Sequence, residues 1–261
     1  MNVSITGPRI LMEIDVFGYF RISITQTVLA SFAVMITLCI LSWRLGKNLQ
    51  KRPGRRQVLV EKGVSMIYNL VSDTMGSHNM RFAPYIGALF LSSLLGSLIS
   101  TTGIFRSPTA DLSTTVTWAL MTTGLVWYHN MKNNGFLGWL KGFAQPVAVM
   151  TPINIVSEIA QPISMSFRHF GNIAGGSVLT ALVYGGLASL SSLLLGWIPN
   201  ALISSIPILQ VGVPAFLSMY FDLFSGGVQA LVFVLLTMVY VGAACPPPQE
   251  NELPAGSTPA A

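Results

Sequence analysis

The chain of 261 residues is 52% hydrophobic and 9% charged, with a formal net charge of +5. A soluble domain carries about 25% charged residues, so a water-soluble globular fold is excluded. Seven of the fourteen Lys and Arg residues crowd between Arg44 and Lys62; a basic balance confined to one loop is a topology signal and does not point to nucleic-acid binding.

The length accommodates about five or six helical spans, and long uncharged runs favour helices over the short alternating strands of a membrane barrel. Residues 1–21 are mixed in polarity and are expected outside the membrane. They carry Glu13 and Asp15 with no compact basic region before a short apolar core, so no cleaved signal peptide is read and the first span serves as the insertion signal. Residues 22–43 form an uncharged run of 22 residues. The basic loop that follows is cytoplasmic by the positive-inside rule, which puts the N-terminus outside. Residues 57–75 alternate apolar and polar groups at helical spacing, as in a helix along the inner interface.

A second uncharged run, 82–104, crosses outward. The Arg-Ser-Pro-Thr-Ala-Asp run at 106–111 is the outer turn, where Thr109 or Asp111 caps the next helix. Residues 112–129 cross back, placing Lys132 and Lys141 inside. Asn133, Asn134 and Gly135 mark a turn, and 136–143 reads as interfacial. Thr151-Pro152 is a helix start, with a hydroxyl cap and proline in the first turn. Two segments then follow, about 151–198 and about 204–244. Each of them would be ~60 Å as helix, twice the ~30 Å hydrocarbon core. Each is therefore two elements, or the two form a strongly tilted hairpin. Pro162, Pro207 and Pro214 could support kinks. The polar, proline-rich tail 246–261 is predicted to be disordered and cytoplasmic. The expected fold is an all-α integral membrane protein of five to six membrane helices, one polytopic domain over 22–245, without internal repeat or soluble second domain.

Between Gly142 and Gln249 only three side chains are formally charged: Glu158, Arg168 and Asp222. Arginine stays protonated under cellular conditions and costs at least ~2.5–3.5 kcal/mol at the bilayer centre. Asn154, Ser157, Glu158, Gln161, Ser164, Arg168, Asn172, Gly175 and Gly176 recur at helical spacing and form one polar seam. Such seams glue helices in a bundle, which accounts for the serines and glycines. Glu158 and Arg168, ten residues and ~15 Å apart along a helix, are too distant to pair. The depth of Arg168 favours a functional charge over a snorkelling one; for Glu158 both readings stand. Asp222 and Gln229, two helical turns apart, are expected on one face, with Gly226 and Gly227 between them allowing close helix approach. A membrane carboxylate can carry a proton, or can be a hydrogen-bonded packing acid. Asp111 at the outer turn is a further candidate for ion translocation, and capping alone would also account for it. His78, His129 and His169 lack ligand spacing and read as interfacial or packing residues. Cys39 and Cys245 suggest neither a disulfide framework nor a metal site. No phosphate loop or nucleophile–base pair is present, so no catalytic site, cofactor or metal is expected.

The Pro-Ile-Ser-Met-Ser-Phe-Arg-His-Phe-Gly-Asn-Ile-Ala-Gly-Gly run at 162–176 and the Val-Gln-Ala-Leu-Val-Phe-Val-Leu-Leu-Thr-Met-Val-Tyr run at 228–240 resemble the arginine helix and last helix of subunit a of F-type ATP synthases. The runs at 106–113 and 82–90 resemble its outer-loop signature and the start of an earlier span, and the similarity keeps the family's order over about 55–242. The resemblance implies a stator facing a rotating ring of c subunits, hairpins that each bear a membrane carboxylate, and braced by peripheral-stalk b subunits. Arg168 would meet each carboxylate in turn and separate two aqueous half-channels for protons. Gln229 would face it, and Asn172 would lie one turn beyond. Asp222 would serve the outer half-channel and Glu158 the inner one. Two long, nearly horizontal helices would explain the excess length. Three positions depart from the family pattern. Ser177 stands where Glu or His is common, His169 where leucine is usual, and Ser113 where asparagine is common. The implied location is a bacterial inner membrane, with the N-terminus outside and the C-terminus cytoplasmic. Two other readings compete with a proton channel: a secondary transporter with a midplane anion site at Arg168, and a sodium-translocating version of the same subunit. A third is a membrane scaffold without transport.

Overall fold

The computed structural model describes residues 10–16, 20–47, 49–102, 107–195, 216 and 220–247. It opens on an antiparallel hairpin, β1 (Ile10–Val16) and β2 (Phe20–Thr25), with Asp15 opposite Arg21 in an exposed ion pair of 3.3 Å. The first helix, α1 (Gln26–Gly46), therefore starts four residues later than the uncharged run suggests. Residues 22–25 are uncharged, but Ile-Ser-Ile-Thr alternates in polarity with β-branched residues, and it pairs as a strand. Absence of charge marks what lipid tolerates; it does not separate strand from helix.

After the basic loop, α2 (Arg55–Met75) buries only Val71 and Met75, near its end. It stops at Gly76, whose φ of +82° suits glycine, and the His78 ring occupies the space where a Cβ would sit. A 3₁₀ turn, Ser77–Phe82, leads into α3 (Ala83–Leu98), which has Pro84 in its first turn. The outer turn is a short 3₁₀ segment, Pro108–Ala110, followed by α4 (Leu112–Gly142). α4 runs past the predicted end at His129, but its backbone breaks at Gly135 with φ of +70°, where the Asn-Asn-Gly signal lies.

The long helix α5 (Thr151–Leu195) is continuous over 45 residues, with Pro162 inside it. It is ~68 Å long, about twice the hydrocarbon thickness, so it lies strongly tilted in a bilayer. Its start falls at the predicted Thr151, but that hydroxyl donates to the Ala148 carbonyl at 2.7 Å instead of capping the helix. The predicted turn at Pro199-Asn200, and Pro207 and Pro214, lie outside the described residues, as does most of 204–219. A π-helical turn, Tyr220–Ser225, then leads into α6 (Gly226–Ala244).

Among the described residues four helical stretches are long and apolar enough to cross a membrane: Gln26–Gly46, Ser77–Leu98, Ala148–Leu193 and Leu223–Ala244. The expected crossing at 112–129 is not one of them, because five threonines lower its hydropathy. Three of those hydroxyls serve packing instead. Thr115, Thr122 and Thr123 are buried, and Thr122 and Thr237 of α6 share a hydrogen bond of 3.3 Å. The apolar core joins Val71, Ile86, Ala119, Met165, Phe233 and Met238 from α2 through α6. In lipid the hydrophobic effect does not hold helices together, so close packing and buried hydroxyl bonds carry the association.

Candidate functional site

α5 presents two adjoining faces. Met165, Ser166, His169 and Ile173 are buried against the bundle. The polar seam runs along the flank beside them: Asn154, Glu158, Gln161 and Asn172 are half-buried, and Ser157, Ser164, Arg168 and Gly175 are exposed. With 100° per residue this is one helix showing a packed stripe and a polar border. Arg168 has no hydrogen-bond or ion-pair partner among the described residues, and the adjacent Phe167 is an exposed apolar group. Its guanidinium therefore leaves the chain from the polar seam, beside an exposed aromatic ring.

One turn on, Asn172 makes a reciprocal contact with the π turn. Its Nδ2 donates to the Ser225 carbonyl at 3.1 Å, and the Ser225 hydroxyl donates to its Oδ1 at 2.8 Å. Beside this clasp α6 comes close to α3, and a Cβ at Gly226 would lie 2.9 Å from that of Ser97. Gln229 is buried and its Nε2 has no hydrogen-bond partner. Asp222 lies in the π turn, and its side chain is outside the described residues. The expectation that Asp222 and Gln229 share a face assumes an uninterrupted α-helix. The wider turn through Ser225 shifts the phase between them.

His169 is fully buried, in agreement with a packing role. Its Nε2 and the Ser93 hydroxyl of α3 are 3.2 Å apart, its ring edges meet Trp118 and Phe233, and Nδ1 lacks a hydrogen-bond partner. Ser177 is exposed on α5, where its hydroxyl donates back to the Ala174 carbonyl at 2.7 Å.

Glu158 lies in a cleft of about 440 Å³ between α4 and α5, which Asn130, Asn134, Gln145, Asn154 and Ser157 also line. The Trp127 indole donates to Glu158 Oε1 at 2.6 Å. Asn154 donates to the carbonyls of Phe143 and Gln145 at 2.8 and 3.1 Å, pinning the loop that closes the cleft. The α4 residues here were missed by the sequence reading. Asn130 and Asn134, four apart on one helix face, were the available signal. Asp111 sits at the opposite end of α4. It accepts from the Ser113 amide at 3.1 Å and hydroxyl at 2.6 Å, and from the Thr27 hydroxyl at 2.7 Å. Burial pushes its carboxyl up, but the bonds from Ser113 and Thr27 prevail and hold it below the ordinary value. Asp111 thus caps α4.

The structure thus gathers Arg168, Asn172 and the start of α6 at one level, and sets Glu158 and Asp111 at separate ends. No cluster of three or more His, Cys, Asp or Glu residues able to hold a metal occurs among the described residues.

A family sequence model described as ATP synthase A chain matches residues 28–242. The "ATP synthase subunit a, sodium ion specific" of Propionigenium modestum is 34% identical over 239 residues, covering 86% of this chain and 75% of that one. The "ATP synthase subunit a 1" of Crocosphaera subtropica is 33% identical over 224 residues, covering 85% and 87%. The "ATP synthase subunit a" of Staphylococcus carnosus is 29% identical over 245 residues, covering 87% and 92%.

Proposed function

Since the chain belongs to the ATP synthase A chain family, we infer that it is the proton-conducting stator subunit of an F-type ATP synthase, coupling transmembrane flow to rotation of a ring of c subunits. The observation that carries this reading is Arg168: a permanent cation, exposed on the polar seam of a membrane helix, with no partner among the described residues. A charge with that cost is explained by partners on another chain. Ring carboxylates passing it are favoured as anions beside it and reprotonate once past, so Arg168 also blocks a straight leak between two half-channels. The Glu158 cleft opens on the side assigned to the cytoplasm and forms the inner half-channel. Asp222 serves the outer one, and Gln229 and Asn172 support the arginine's level. Ser177 contributes a hydroxyl where an ionisable group would relay. Asp111 caps α4 and frames the outer turn.

In this reading the N-terminus is outside, residues 22–245 form the membrane domain, and the tail 246–261 is cytoplasmic in a bacterial inner membrane. Peripheral-stalk b subunits brace the chain, and the chemistry of ATP belongs to other subunits. The decisive measurement is ATP-driven acidification of membrane vesicles. Arg168→Ala abolishes it while the complex stays assembled; normal coupled pumping in that variant would end the proposal. A sodium-translocating version is the second reading, favoured by the relative whose name specifies sodium. It predicts ATP-driven sodium uptake that persists with a protonophore present, whereas the proton reading predicts its loss.

A further inference from the structure

We propose that His169 is a proton relay on the outer side, fed by a file of buried hydroxyl groups along α3. The inference rests on the stator reading and supplies what Ser177 lacks, a group that takes up and releases protons. The file starts at the outer turn. Ser107 and Thr109 hydroxyls lie 2.6 Å apart, and Thr109 is 3.4 Å from the Ser97 hydroxyl on α3. Ser97 in turn donates to the Ser93 carbonyl at 3.0 Å, one helical turn further in. The Ser93 hydroxyl then faces His169 Nε2 at 3.2 Å. All five side chains are at least 99% buried.

Packing alone accounts poorly for this arrangement. Buried polar atoms are nearly always paired, yet Gln229 Nε2 has no partner and His169 Nδ1 meets only the Gln229 backbone, in poor hydrogen-bond geometry. These imperfectly satisfied groups lie at the level of the seam, where a proton leaving His169 would pass. α3 and α6 hold no acidic, basic or histidine side chain, and those of α4, at His129 and beyond, lie about three helical turns from Trp118. The charged neighbour is Arg168, next in sequence and on the exposed flank. A hydroxyl both donates and accepts, and neutral imidazole does the same through its two nitrogens. A file of neutral relays suits a site beside a fixed cation, which would repel a resident positive ion.

The step balances simply. The Ser93 hydroxyl gives its proton to Nε2 and is refilled from the outer end as Nδ1 gives its own towards the ring carboxylate, so the imidazole stays neutral; it must return to the Nδ1–H tautomer before the next proton. Between Ser97 and Ser93 the direct contact is hydroxyl to carbonyl, so passage to the Ser93 hydroxyl needs one intervening water that accepts from Ser97 and donates to Ser93.

The test uses vesicles carrying the whole membrane sector, stripped of its catalytic head, with passive proton flux driven by a potassium diffusion potential. His169→Leu, His169→Gln and Ser93→Ala should each lower flux about tenfold or more. Full flux in Ser93→Ala, or in His169→Gln, which keeps polarity without titrating, overturns the relay. If His169→Leu fails to assemble, the other two variants decide. Arg168→Ala in intact complexes separates the two readings. Coupled pumping that survives there removes the stator assignment, whereas loss of pumping there with full flux in both His169→Gln and Ser93→Ala removes only the relay.

Discussion

In the proposed stator, the two ends of the molecule would give access to Arg168 in opposite ways. At the inner end a cleft of about 440 Å³ is lined by amides, a serine and Glu158, and is large enough for several waters. At the outer end the described groups are closed together, and Ser107, Thr109, Ser97 and Ser93 are buried without a formal charge. An open cleft needs few defined contacts because water fills it. A closed path needs each donor to meet an acceptor, so its geometry is exacting. The contrast teaches that the inner side should tolerate polar substitution, while the outer side should be sensitive to the loss of single atoms.

The largest effect expected at the cleft comes from Glu158→Gln, which keeps the shape but removes the charge. Passive proton flux should fall about tenfold, and an unchanged flux would reduce the cleft to a structural gap. Next in size is Gly226→Ala, which drives a methyl group against Ser97 at 2.9 Å. It should cost about 1–3 kcal/mol of packing, read as a lower melting temperature of the detergent-solubilised subunit. A wild-type melting curve would mean that α3 and α6 yield easily. Trp127→Phe removes the donor to Glu158 and should lower flux about threefold, because a part-exposed pair is weak.

Asp111→Asn should be the smallest change, because asparagine also caps helices. Its sign with pH is defined. The folded carboxyl lies below its ordinary value of 3.8, so its contribution is full above that value and is lost as pH falls through the folded one. Wild type and variant should therefore differ in melting temperature at neutral pH and converge in acid. A gap that widened in acid would contradict the bonding from Ser113 and Thr27.

Much of the site was legible because lipid makes charge conspicuous. Arg168, Glu158 and the seam stood out by residue type and spacing alone, and the cap at Asp111 and the break at Gly135 followed from local backbone chemistry. The features that escaped depend on contacts distant in sequence or on helix phase. The hairpin at Ile10–Thr25 required two strands to find each other. The π turn before Gly226 is a one-residue shift that no apolar pattern announces. The partner of His169, Ser93, lies 76 residues away, so periodicity could call it buried but could not say what it faced. The Trp127–Glu158 bond was hidden for the same reason, since its two residues sit on different helices.

The clasp between Asn172 and Ser225 has a mechanical consequence. A cation that attracts one passing anion after another is tugged sideways at every step, and its own helix must not yield. Asn172 sits one turn from Arg168 and holds the base of α6 by two hydrogen bonds, with the buried His169 gripping the bundle between them. In the proposed stator, the shear at Arg168 would thereby be shared by α5 and α6 and not borne by one helix alone.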